Sequence, residues 1–218
     1  LDDAAAGAPS HSIHLKPLAE DALSLPVRTG KARVIGIEPA SLVTKSLVRE
    51  VNTDDAGCFQ SALNPGLTKI AVIERHKRTG KRGIGILEGY GLTGGAIATT
   101  ISHDSHNIVV AGDNDPDMLL AVRELADMGG GIVSVHGGAI RRLPLPIAGL
   151  MTSADPQEVN AVLHDMLVAA RAELGIPEDV EPFMTLSFMA LPVIPELKLT
   201  ARGLFNVNTF SFVGVEAD

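Results

Sequence analysis

Two spacings of apolar residues divide most of the chain into strands and helices. Residues 1–30 follow neither. LDDAAAGAPSHS is small and polar and predicts a mobile stretch. HLKPLAEDALSLP has room for one short helical turn around Leu18 to Leu23. Residues 1–30 therefore read as a linker or lead-in, and residues 31–218 as one domain. From Arg33 the texture changes. ARVIGIEP is apolar and β-branched and stops at Pro39, which predicts a strand. SLVTKSLVREV alternates apolar and polar residues and predicts a second. After the turn-rich NTDD and NPG, TKIAVIERH predicts a third strand, and RGIGILEGYG its hairpin partner across the polar turn HKRTGK. HNIVVAG adds another, and GIVSVHGGAIRRL a hairpin turning at Gly137–Gly138.

The helical spacing is clearest in two places. In DNDPDMLLAVRELADMGG, Asp115 is the expected cap, Pro116 the first helical position and Gly129 the stop, with Leu119, Val122, Leu125 and Ala126 as the apolar stripe. In DPQEVNAVLHDMLVAARAELGIPED, Asp155, Pro156 and Glu158 predict a capping box. Its stripe is Val159, Val162, Leu163, Met166, Leu167 and Ala170, and Gly175 and Pro177 end it. LTGGAIATTISH predicts a shorter helix capped by Thr93. LPLPIAGLM reads as an extended loop. The tail FMTLSFMALPVIPELKLTARGLFNV, broken by Pro182, Pro192 and Pro195, predicts strands and turns wrapped over the core. No repeat of fixed period is present. The fold class that follows is α/β (or α+β): a mixed β-sheet layered with helices in a single domain.

Composition narrows the functions open to such a domain. With 45% hydrophobic and 20% charged residues over 218 positions, a sizeable core is expected and wholesale disorder is excluded. A net charge of −8 argues against general nucleic-acid binding and against a polybasic membrane anchor. The absence of Trp and the single Tyr leave no aromatic platform for stacked bases. One cysteine, Cys58, excludes internal disulfides and cysteine-based zinc sites, and with no secretory segment it predicts a cytoplasmic protein. The chain starts at Leu1 rather than Met, so it is expected to be processed, trimmed or cut from something longer.

The densest concentration of chemistry is SHDSHN: Ser102, His103, Asp104, Ser105, His106 and Asn107. Six polar residues stand between the apolar runs GGAIATTI and NIVVAG, at an expected helix-to-strand junction where a rigid scaffold presents side chains to ligands. Histidine titrates near neutrality and suits proton transfer or metal binding. A metal held in this chain would need further ligands, with Asp113, Asp115 and His136 as candidates, and the spacing matches no strong metal motif. A Ser-His-Asp triad is not expected, because adjacent side chains diverge. GYGLTGG precedes the expected 95–101 helix, so its backbone N–H groups could hold an anion, although it lacks a complete phosphate-loop or dinucleotide fingerprint and also reads as a closely packed turn. DNDPD lacks the glycine and closing glutamate of a calcium loop and reads as a helix cap.

GYGLTGGAIATTISHDSHNIVVAGDNDPDM, GGGIVSVHGGAIRRLPLPIAGLM and ALPVIPELKLTARGLFNV together resemble the C-terminal part of bacterial and archaeal adenine deaminases, over about Pro26 to Val215. That family, within the amidohydrolase superfamily, converts adenine and water to hypoxanthine and ammonia. The resemblance implies that the parent protein is a hydrolase of purine salvage, with a binuclear divalent metal centre (manganese or iron) in a TIM-type barrel. Such a barrel needs about 250 residues by itself and cannot be in this chain. HSIH (His11, His14) has the wrong spacing for its HxH ligand pair. No cofactor is therefore expected in this chain, and no residue of it is expected to bind metal. The implied partners are the N-terminal amidohydrolase barrel of the same protein, adenine, and further copies in a homo-oligomer, with no nucleic acid and no membrane. His103, Asp104 and His106 are the candidate catalytic residues, as a cover over the barrel site, and Ser102, Ser105 and Asn107 the candidate substrate contacts. The alternative is a structural or oligomerisation module with no part in catalysis.

Overall fold

The computed structural model describes residues 12–217. The expected mobile stretch therefore lies almost wholly outside the described residues, as does His11. Eleven strands and three α-helices follow in chain order: β1 (Lys31–Ile37), β2 (Thr44–Glu50), β3 (Leu67–Ile73), β4 (Arg82–Glu88), β5 (Gly95–Thr99), β6 (Ile108–Gly112), α1 (Asp115–Asp127), β7 (Gly131–His136), β8 (Ala139–Pro144), α2 (Pro156–Ala172), α3 (Pro182–Phe188), β9 (Leu197–Thr200), β10 (Gly203–Asn206) and β11 (Ser211–Phe212). A single-turn 3-10 helix (Ser61–Leu63) precedes β3.

Eight strands form one mixed sheet in the order β2-β1-β4-β3-β6-β5-β7-β8. Every neighbouring pair is antiparallel except β1 and β4, which run parallel. The sheet is covered on both faces, and its central strands show it: each residue of β5 and β6 is buried. The period of two sorts their side chains between the layers. Ala96, Ala98, Ile108 and Val110 point toward α1, with Met118, Ala121, Val122 and Leu125 opposite them. Ile97, Val109 and Ala111 point the other way, into a larger core closed by Met166 and Ala170 of α2, Phe183 and Leu186 of α3, and Leu197, Leu199 and Leu204 of β9 and β10. The small β9–β10–β11 sheet thus lies in the same layer as α2 and α3. Residues 12–27, read above as lead-in, lie against this body: Leu23, Leu25 and Val27 are buried and the His14 N–H donates to the Arg75 carbonyl at 2.7 Å.

The layered mixed fold and the two long helices are as the periodicity predicts, while several local expectations need correction. Residues 95–99, expected as a helix capped by Thr93, are the strand β5. Two facts explain the difference. AIAT is buried on both faces, so it lacks the polar side that marks a strand in sequence. Gly95 also packs so closely on β7 that an added Cβ would sit 1.9 Å from the Val135 carbonyl oxygen. The cap of α1 is Asn114, whose side chain accepts from the Asp117 N–H, rather than Asp115. Asp155 does cap α2, but through the Gln157 N–H, and Val162 of its expected stripe faces solvent. The tail contains a helix, α3, that the sequence reading missed. Pro182 does not break the chain's regular structure there but stands in the first turn, after a Glu181 cap that accepts from the Met184 N–H.

The corrected capping predicts a difference between two substitutions. Asn114→Ala should cost about 1 kcal/mol, which in a domain of this size lowers Tm by roughly 2–4 °C. Thr93→Ala should leave Tm within error, because Thr93 caps no helix. Thermal denaturation of both variants checks this.

Candidate functional site

The 102–107 segment is the loop between β5 and β6, a strand-to-strand connection rather than the expected helix-to-strand junction. Its turn closes when the His106 N–H donates to the Ser102 carbonyl at 2.6 Å. Ser102 is fully buried, and its hydroxyl has no partner among the described residues. The His103 N–H donates to the Ser187 carbonyl of α3 at 2.9 Å. The His103 ring lies 4.6 Å from Phe188 and, edge-on, 5.7 Å from His106. Asp104 and Ser105 are exposed, and Asn107 is buried with its Oδ1 accepting from the Arg75 N–H at 3.4 Å.

The loop is a partition between two clefts. On one side is an apolar cavity of about 440 Å³ lined by Ile101, His103, Leu163, Phe183 and Phe188, with Glu181 on its wall. On the other is a cleft of about 560 Å³. Asp104, Ser105 and Asn107 line one part of it, and Arg202, Phe205, Phe210 and Phe212 another. Phe210 and Phe212 stand edge-on to Phe205 at 5.3 and 5.1 Å, and the Arg202 guanidinium lies 4.7 Å over the Phe212 ring. Five of the chain's six phenylalanines therefore line the two clefts.

The electrostatics favour a neutral His106. Burial disfavours its charged form first, and the neighbouring His103 and Arg75 add to this, with Asp104 opposing. The Ser102 N–H points at Nδ1 from 3.4 Å, so in the neutral ring Nδ1 accepts and the proton sits on Nε2. His106 can thus act as a hydrogen-bond donor without carrying charge. Beneath the loop, the Glu74 carboxylate organises the 76–79 turn. It accepts from the N–H groups of His76, Lys77 and Thr79 and from the Thr79 hydroxyl. Burial pushes the Glu74 pKa up, but these hydrogen bonds outweigh it and pull the value down to about 2. The turn reaches the loop through His76 Nε2, 2.8 Å from the Ser105 carbonyl oxygen.

All six candidate residues share this loop, but they do not share one cavity. His103 lines the first cleft and Asp104, Ser105 and Asn107 the second, while Ser102 and His106 line neither. Asp104 hydrogen-bonds to neither histidine among the described residues, so it does not orient them. The further metal candidates lie apart. Asp113 accepts from the Gly94 and Gly95 N–H groups, Asp115 pairs with Lys69 at 2.5 Å, and His136 Nδ1 lies 2.7 Å from the Gly94 carbonyl oxygen. Those amides of the glycine turn are thereby satisfied internally. Among the described residues no three His, Cys, Asp or Glu side chains are grouped to hold an ion, and no helix is long and apolar enough to cross a membrane. Arg75 and the phenylalanine walls were not foreseen. The clustering of Phe183, Phe188, Phe205, Phe210 and Phe212 in the last 36 residues was the one available signal.

The described residues thus form a layered α/β module that presents a paired-histidine loop between two aromatic-walled clefts. A family model described as the adenine deaminase C-terminal domain matches residues 41–211. The chain is 57% identical to the adenine deaminase of Nitratidesulfovibrio vulgaris strain Hildenborough over 216 residues, which is 99% of this chain and 37% of that protein. It is 47% identical to adenine deaminase 2 of Carboxydothermus hydrogenoformans over 206 residues and 44% identical to the adenine deaminase of Clostridium acetobutylicum over 205, each 94% of this chain and 36% of the relative. The chain belongs to the adenine deaminase C-terminal domain family. It spans just over a third of the length of these curated relatives.

The Glu74 geometry sets a pH dependence. A carboxylate depressed on folding stabilises fully above its unfolded pKa, near 4.5, and that stabilisation disappears as pH falls toward 2. Glu74→Gln should lose roughly 1–2 kcal/mol at neutral pH, after allowance for solvent screening. Its deficit relative to the parent should shrink between pH 4.5 and 2. Denaturant titrations across that range measure the difference.

Proposed function

We propose that the chain is the C-terminal part of a longer adenine deaminase and covers the reaction site with the 102–107 loop, without activity when alone. The observation that carries this is the placement of a neutral, donor-capable His106 and a half-buried His103 on a loop walled by five phenylalanines. In the complete protein the N-terminal amidohydrolase barrel would hold the metal ligands, and a divalent metal pair there, of manganese or iron, would supply the activated water. This chain's residues would do the rest. The aromatic walls exclude bulk water, which strengthens every polar contact inside. A His103 or His106 ring N–H donates to a purine ring nitrogen, and the Asn107 amide meets the base's polar edge. Ser105 borders that edge while Ser102, fully buried, can only support the loop from beneath, and holding the base reduces the entropic cost of attack at C6. The protein is proposed to work in the cytoplasm as a homo-oligomer.

A second reading, an assembly module without a catalytic part, is favoured by the exposed apolar side chains Phe210, Val193 and Met151. Kinetics and size measurements separate the two. In the complete enzyme, His103→Ala, Asp104→Asn and His106→Ala should each lower turnover by about 10² or more, with Tm and oligomeric size unchanged. Wild-type turnover in all three would refute the cover. Loss of oligomeric size on Phe210→Ala with turnover per site retained would establish the assembly reading.

A further inference from the structure

Arg75 is 1% exposed, and among the described residues its guanidinium meets no carboxylate. A buried cation without a counter-ion is costly, and burial disfavours its charged form. Its donors are spent on oxygens of three segments far apart in sequence. Nε donates to the His106 carbonyl, and Nη2 to the Ala148 carbonyl at 3.0 Å. Nη1 donates to the Ser12 carbonyl at 3.2 Å and the Ser12 hydroxyl at 2.9 Å. An apolar side chain would avoid the desolvation of the charge but would leave these acceptors without Arg75's donors. What the guanidinium adds is a rigid fork of donors in one plane.

Two further features surround it. Both loops it grips place a non-glycine residue in the left-handed region, His106 at φ 49° and Ala148 at φ 58°. Such backbone persists only where its surroundings hold it. The fork also fits because position 149 is glycine, where an added Cβ would stand 3.0–3.2 Å from the guanidinium atoms. Gly149 is itself gripped from the other side, its carbonyl accepting from the buried Thr100 hydroxyl at 2.5 Å.

We propose that Arg75, seated against Gly149, is a positioning residue for the candidate site: it holds the His106 carbonyl, sets the direction of the His106 imidazole, and locks the 102–107 loop to the 147–151 turn. Its catalytic meaning rests on the cover reading above, whereas its geometric effect does not. Arg75→Lys separates position from charge, because an ammonium keeps the charge but lacks the fork that spans three segments. Gly149→Ala crowds the fork, and strains the turn at its φ of 73°, while leaving the charge unchanged.

The test is a histidine-ring NMR titration of the ¹⁵N-labelled chain. His103, Asp104, His76 and Arg75 are the charged and titratable groups that act on His106, and none but Arg75 is altered. The unaltered chain should show a single Nε2–H tautomer for His106 and a midpoint below the ordinary histidine value. Arg75→Lys should lose the single tautomer and raise the midpoint toward the ordinary value, and Gly149→Ala should shift both in the same direction. Arg82→Lys, which breaks an arginine-to-carbonyl bond to Ala22 away from the loop, should shift neither. Unchanged His106 signals in a folded Arg75→Lys or Gly149→Ala chain overturn the proposal. So does rapid solvent exchange of the Arg75 Nε–H in the unaltered chain, a measurement that needs no variant to fold. Wild-type turnover in the loop variants would remove the cover reading and leave this result standing.

Discussion

Strands β5 and β6 have no residue that faces water, and that constraint organises the molecule. A strand pair buried on both faces needs a layer on each side. Here α1 supplies one, and α2, α3 and the small β9–β10–β11 sheet supply the other. The antiparallel turn between β5 and β6 must then emerge at the seam where these layers end. The one polar run of that region is consequently held at a fixed place, with α3 on one flank and the β10–β11 hairpin on the other. The clefts beside it arise because neither flank closes fully over the sheet end.

The interior cations follow one pattern. Lys69 Nζ donates to the Leu23 carbonyl at 3.1 Å and pairs with Asp115. Lys198 is fully buried and donates to the Leu42 carbonyl at 2.8 Å, and burial pushes its pKa down to about 8. Arg75 binds three carbonyls. Each therefore fastens an irregular segment to the sheet: the 12–27 stretch, the β1–β2 connection, and the candidate loop. Loops that lack a ladder of their own need partners for their carbonyls, and a buried cation offers stronger hydrogen bonds than a neutral donor. Stability and site geometry thus draw on the same contacts.

Much of the fold was legible because its elements carry local signals. α1 and α2 combine a periodic stripe with a capping residue, a proline in the first turn and a glycine stop, and the β3–β4 and β7–β8 hairpins carry alternation with turn residues between them. β5 was misread because double burial removes alternation, leaving only small and β-branched residues that fit either state. α3 carries no such signal, because seven residues are too few to establish a period and a proline in the first turn looks the same in sequence as a breaker. The candidate loop was legible as composition, six polar residues amid apolar ones. Its environment was not, because Phe188, Phe210 and Arg75 reach it only through tertiary contacts spanning from 31 to more than 80 positions.

The cover reading is a proposal for the complete protein, since the relatives named as adenine deaminases continue well beyond the matched region. The decisive quantity is the position of the loop relative to the reacting base. It is measured directly by a structure of the complete protein with a non-reacting purine bound. A His103 or His106 ring nitrogen within hydrogen-bond reach of the base, at about 3 Å or through one water, is the predicted result. A loop turned to solvent or buried against another subunit, with the base enclosed by the barrel alone, would contradict it.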